Sequence, residues 1–427
     1  MLNFFQRSNF KILLFLSIVF LSFYRSPYIF INGRFFAEEG IHFVNAWKNG
    51  FFSGLIFIEE SAGYLNLIAN ILASLATLIK LENAPLVNVY GSFIIILLLP
   101  FLVLFRDSSL FLNDYKKTIG AIILFCSPPF VPEIWLNSIN LQIYLCLITI
   151  VILFMNNLSV NQKILNHLII FISGLSGVYT CCLLPLFVFN YIFKKNFYNF
   201  LNLLIISFST IFQFSLVIFF KLNNTLHESV LKGSFDFSGY HLFFYNNILK
   251  PFFSRQLIHL TWENLIVYFP FINYANIILG LLIVLFLTFL RYYKNIYNYI
   301  SKDKTLIYLI YIFFIISIII ITGSLGNYYG GRYAVIIGTT LILIIFHLHE
   351  IKNKNVFNIL ILSLIVCSLV SGIYQFRPPT KNAKHQYIKY LDCINCPEWR
   401  KELDIWKNNK NYSLKIWPYP RKTMMLN

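Results

Sequence analysis

Acidic side chains are scarce. The 427-residue chain carries 17 Asp and Glu against 34 Lys and Arg, and the four charged types together make up only 12% of it. Soluble domains hold roughly 25%, so an evenly solvated polar surface is excluded. Several signatures are also missing. There is no phosphate-binding G-x-x-x-x-G-K-[ST], no H-E-x-x-H and no G-x-S-x-G, which removes the phosphate-loop nucleotidases, the helix-borne zinc proteases and the nucleophile-elbow hydrolases. No internal repeat of fixed period and no low-complexity linker breaks the chain. Of seven cysteines, Cys126, Cys146, Cys181, Cys182 and Cys367 lie inside apolar runs and read as small buried hydrophobes. Cys393 and Cys396 form a lone C-x-x-C without the second pair that zinc requires. They are a disulfide candidate if the tail occupies an oxidising compartment.

What fills the chain is apolar: 58% of residues are hydrophobic and 19% aromatic. This composition predicts an all-α, polytopic membrane protein, with residues 1–374 as one helical bundle and 375–427 as a small outer tail. The net charge of +17 falls mostly between the apolar runs and in the tail, so membrane topology accounts for it and nucleic acid is not an expected partner. The first run has a basic start and no small-x-small cleavage site after it, so it is expected to be retained as a helix.

Spans need roughly 17–25 apolar residues, and cytoplasmic loops collect Lys and Arg. Arg7 and Lys11 then place the N-terminus inside, and residues 34–63 emerge on the outer side. The run "GYLNLIANILASLATLIK" is ambiguous, because Asn66, Asn70, Ser74 and Thr77 draw one polar stripe along it. It either lies at the interface or packs the stripe inside the bundle. If it does not cross, all later loops alternate correctly and about eleven crossings result. The basic tail is then external, as long translocated segments permit.

Three polar clusters share the predicted outer face. In "NGRFFAEEGIHFVNAWKNG", a helix would align Glu38, His42, Asn45 and Asn49 as a wet stripe opposite Phe36, Gly40, Phe43, Val44 and Trp47, with Glu39 on the boundary. A partly desolvated carboxylate there has the raised pKa of a useful general base. Equally, both acids can serve a helix N-terminus, or Glu38 can pair with Arg34. The second cluster, "SPPFVPEIWLNSINLQIY", places Glu133, Asn137, Asn140 and Gln142 around Trp135 after helix-ending prolines. That mixture suits a hydroxylated ligand, and also suits an ordinary polar loop. The third, "GSLGNYYGGRYA", sets Arg332 and Tyr333 among glycines, where a guanidinium fork suits phosphate or an interfacial anchor.

Taken with "AGYLNLIANILASLA", "GLSGVYTCCLLPL", "GGRYAVI" and "IWPYPRKTMML", these patches resemble a group of bacterial multi-spanning proteins similar to the GT-C glycosyltransferase superfamily. The resemblance covers most of the chain in order. It implies a sugar donor carried on polyprenyl phosphate, a glycan, lipid or protein acceptor, a plasma or inner membrane location, and an active site on the outer side. It also implies interfacial helices within the first outer loop, residues 32–84. Glu39 is then the base of an inverting transfer, with Glu38 in reserve. Arg332, Arg34 and Tyr333 meet the donor phosphate, while Glu133, Asn137, Asn140, Tyr64 and His42 contact sugar or acceptor. The family pattern A-E-D-G reads Ala37-Glu38-Glu39-Gly40 here, so a divalent cation at Glu38 and Glu39 stays an open expectation and no cofactor is assigned. The rivals are a lipid-linked oligosaccharide polymerase or ligase, expected to carry a larger outer loop, and a flippase, expected to place charges at mid-membrane.

Overall fold

A computed structural model of the chain describes residues 8–126, 132–226, 243, 245–253, 303–323, 331–348, 356–376, 397–418 and 422–426. The cysteine pair 393 and 396 lies outside them. Among the described residues the fold is mostly helical, with two small two-stranded sheets. It divides into two compact units: residues Met1–Ala121, Val131–His227 and Arg377–Asn427 in the first, Ile122–Phe130 and Glu228–Phe376 in the second.

The first unit begins with α1 (Ser8–Arg25) and the short α2 (Pro27–Asn32). The first loop then folds as α3 (Glu39–Asn49), α4 (Phe51–Leu55), a hairpin of β1 (Ile58–Glu59) and β2 (Tyr64–Leu65), and α5 (Leu67–Ala76). At ten residues, α5 is about 15 Å long, half the hydrocarbon thickness. Its polar stripe packs inward. Asn66 caps the helix and donates to the Ile139 carbonyl, Asn70 donates to the carbonyls of Leu55 and Phe57, and Ser74 is fully buried. The stripe therefore ties α3, α4 and α5 together.

After α5 come α6 (Ala84–Phe105), α7 (Asp114–Phe125), α8 (Leu141–Leu153), α9 (Val160–Gly174), α10 (Val178–Cys181), α11 (Leu184–Phe193) and α12 (Phe197–Leu222). The helix α9 starts at a Ser159/Gln162 capping box. The break between α9 and α10 turns on Gly177, whose φ of +132° and whose contact with the Gln142 side chain leave no room for a Cβ. The tail contributes α13 (Trp399–Asn408), β3 (Leu414–Lys415) and β4 (Thr423–Met424) to this same unit.

The second unit contains α14 (Lys304–Gly323), a 3₁₀ turn Gly331–Tyr333, α15 (Ala334–Leu348) and α16 (Val356–Gln375), with α15 packed between the other two helices.

Among the described residues, three helical stretches are long and apolar enough to cross a membrane: Leu81–Phe105, Phe197–Leu222 and Gly331–Leu348. The pair Val160–Gly174 and Val178–Phe193, bent by 115°, makes a fourth if it is one broken span. The alternating charges predict separate crossings for those two segments. Along α12 the large side chains Phe197, Phe208, Ile211, Ile218 and Leu222 are more than half exposed, the surface expected of a helix against lipid rather than water.

Candidate functional site

The acidic pair lies where three distant segments of the first unit meet: residues 34–42, residues 133–140 and the end of the tail. α3 starts at Glu39 with Glu38 as its N-cap, so the helix begins later than the sequence pattern suggests. The preceding residue, Ala37, has φ +50°, and Leu136 in the facing segment has φ +51°. The only other non-glycine residues with positive φ among the described residues are Asn157 and Asn224, a type that tolerates this region. The two strained positions of less tolerant type thus flank the acids on both sides, where surrounding contacts hold them.

Glu39 is not at a helix edge but fully buried, 1% exposed. Its Oε1 accepts from the Ser138 N–H at 2.7 Å and from the Ser138 hydroxyl at 2.9 Å, and its Oε2 accepts from the Phe36 N–H at 2.7 Å. Helical periodicity places it on a boundary because it sees only α3. Residues 135–138 and the tail close over that boundary from both sides. Burial pushes its carboxyl pKa up, against the opposing pull of Arg34 and the three donors.

Arg34 is equally buried. Its Nη2 donates to the Trp135 carbonyl at 3.0 Å, and its guanidinium lies over the rings of Phe36 and Trp417. Burial lowers its pKa to about 10, so it keeps its charge at neutral pH. Its Nε and Nη1 find no hydrogen-bond partner among the described residues. The Arg34–Glu38 pair that the spacing allows does not form. Arg34 instead supports Glu39 electrostatically from beneath the two rings.

Glu38 points elsewhere. It remains 30% exposed at the side chain, and its Oε1 meets the Lys422 ammonium at 3.2 Å. The strand-like ends of loop and tail pair directly: the Ala37 N–H donates to the Trp417 carbonyl, and the Trp417 N–H donates to that of Phe35. Gly40 packs closely here: a Cβ would sit 2.6 Å from the Ile416 Cδ1 atom, so the end of that side chain would have to shift. Beneath it, Phe35, Phe43, Trp399, Leu403, Leu414, Ile416 and Met424 form one apolar core.

The other expected residues take structural partners. His42 is buried rather than wet, with Nδ1 2.6 Å from the Asn70 Oδ1, because α3 packs on α5 along that face; burial lowers its pKa. Trp47, placed by the pattern on the apolar face, is 38% exposed. Asn137 and Asn140 are buried and both donate to the Glu133 carbonyl, while Asn137 also accepts from the Ile139 N–H. They fold their own loop rather than opening toward a ligand. The Tyr64 hydroxyl accepts from Gln142. Arg332 donates to the Tyr333 hydroxyl in the second unit, just before α15. Local patterning misses three residues at the site. Ser138 and Lys422 bind the acids from far along the chain, and Glu59, its pKa raised by burial, feels both Glu38 and Lys422. No short-range spacing marks such partners; only the quoted patches around 138 and 417 hint that those stretches matter.

Both Glu39 oxygens are occupied by donors while Glu38 faces Lys422, so the pair does not fit a shared divalent cation. Among the described residues, no group of three His, Cys, Asp or Glu is placed to hold a metal. The chain matches no protein-family model and no curated protein sequence.

Proposed function

We propose that the chain is a membrane glycosyltransferase of GT-C type, with about eleven crossings and a cytoplasmic N-terminus. It moves a sugar from a polyprenyl-phosphate carrier to a surface glycan, lipid or protein on the outer side of the plasma or inner membrane. The observation that carries this reading is the division of labour in the acidic pair: Glu39 is locked into the fold while its neighbour Glu38 stays reachable. A general base must touch the proton it removes, which moves the role from Glu39 to Glu38.

In this reaction Glu38 takes the proton of the acceptor hydroxyl as that oxygen bonds to the anomeric carbon from the face opposite the carrier. The bond from that carbon to the phosphate oxygen breaks, its electron pair leaves with the polyprenyl phosphate, and the anomeric configuration inverts. Glu39, Ser138 and Arg34 hold the backbone of residues 34–39 so that Glu38 is presented in one place. Exposed Phe52 in α4 and Ile56 at its end suit a loop resting on the lipid interface.

The test is a panel of radiolabelled polyprenyl-phosphate sugars offered to purified full-length protein in detergent or vesicles. Wild type transfers label to acceptor, and Glu38→Gln loses about 100-fold or more of the rate. Equal transfer by both removes Glu38 from the chemistry. Carrier crossing without transfer replaces the enzyme with a flippase.

A further inference from the structure

The ion pair between Glu38 and Lys422 joins a proposed catalytic group to a residue of the tail that has no role in the reaction so far. We propose that Lys422 is an anion-binding residue of this site, held by Glu38 until the phosphate of an incoming lipid-borne donor displaces that carboxylate. This rests on the reading of the donor as a phosphate ester.

Three observations lead there. The pair is about a third exposed, with side chains 39% and 30% accessible for Lys422 and Glu38, so water already weakens it and an anion can compete. Lys422 is nevertheless displayed from a fixed backbone. Its carbonyl accepts from the Ile416 N–H, the next residue pairs with Lys415, and Met424 is buried in the core below Gly40. A lysine on a floating tail would offer no defined site; this one does. Third, two carboxylates, Glu38 and Glu59, interact with each other and with Lys422. They would repel a phosphate, and among the described residues the Lys422 ammonium offsets that repulsion.

The design of the test exploits the fact that either single substitution breaks the same ion pair. If the pair served only to dock the tail, Lys422→Met and Glu38→Gln would act alike. If Lys422 binds phosphate in competition with Glu38, they act in opposite directions. Farnesyl phosphate binding to the full-length protein in detergent is measured by titration calorimetry, with farnesol and inorganic phosphate as separate probes. Lys422→Met is expected to weaken farnesyl phosphate binding roughly fivefold, the scale of one exposed ion pair. Glu38→Gln tightens it, Lys422→Arg restores it, and farnesol binding stays unchanged in all three. A lipid-borne source predicts weak inorganic phosphate binding, whereas equal affinity for both phosphates makes a free anion the ligand. Parallel changes in the two single variants, or equal loss for farnesol, overturn the proposal. The outcome separates from that of the transfer assay. Opposite binding effects without any transfer leave the lysine site standing and remove the enzyme reading; loss of transfer in Glu38→Gln with unchanged binding in Lys422→Met does the reverse.

Discussion

The floor and the rim of the acidic site use the same kinds of residue to opposite ends. On the floor, Glu39 and Arg34 are 1% and 2% exposed, and the carboxylate receives three hydrogen bonds. On the rim, Glu38 and Lys422 meet in a partly exposed ion pair. A buried charge that loses its partners strands others in low dielectric, whereas a solvated one hands its partner back to water. Adjacent glutamates in one motif can thus be locked into the fold or left at the surface, and their surroundings decide which is which.

The comparison breaks most sharply at the floor. Glu39→Ala leaves the Arg34 charge and the donors of Ser138 and Phe36 without their acceptor, and is expected to cost about 3–5 kcal/mol in denaturant titration of the detergent-solubilised protein. A loss below about 1 kcal/mol would show that the floor behaves like the rim. Next in size, Gly40→Val drives a side chain into Ile416 and the buried Met424, costing about 1–3 kcal/mol. Limited proteolysis should then cut the released tail before the helices are attacked. A tail that stays protected would mean that the loop–tail contact tolerates bulk.

Titration sharpens the contrast further. Burial raises the folded-state pKa of Glu39 above its ordinary 4.5, so the folded state holds its proton more firmly than the unfolded chain does. Stability therefore falls as pH rises from about that ordinary value through the raised one, and is level above it. Melting temperature followed across this window should show the decline in wild type and a flatter profile in Glu39→Gln. A rise in wild type over the same range would mean that the three donors and Arg34 outweigh burial. The smallest effect belongs to the rim: Lys422→Met should change stability by no more than about 1 kcal/mol, measured in the same denaturant titration. A larger loss would make Lys422 part of the floor.

Much of the helical framework is legible in the sequence because long apolar runs have few alternatives in lipid. "LVNVYGSFIIILLLPFLVLF" and the run near 200–220 return as α6 and α12. The start of the run "TIGAIILFCSPPFVPEIWL" returns as α7, which ends at Phe125, and residues 127–131 of it lie outside the described residues. The stripe of Asn66, Asn70 and Ser74 announces a helix with two faces but not what its polar face meets. That face meets backbone carbonyls of α4 and of the 139 region, partners no periodicity within α5 can reveal.

The acids themselves stood out because the chain has so few, and their place after the first apolar run made them a candidate site. Composition and apolar spacing determine that much alone, since the avoidance of water by apolar side chains acts on any chain of this pattern. Which glutamate is buried, which cation faces the other, and that residue 417 pairs with residue 36 were decided only in three dimensions. Burial and hydrogen bonding at Glu39 depend on Ser138, 99 positions away, and the partner of Glu38 lies 384 positions away. Contacts at such separations follow from how whole segments pack, so the sequence holds them without displaying them.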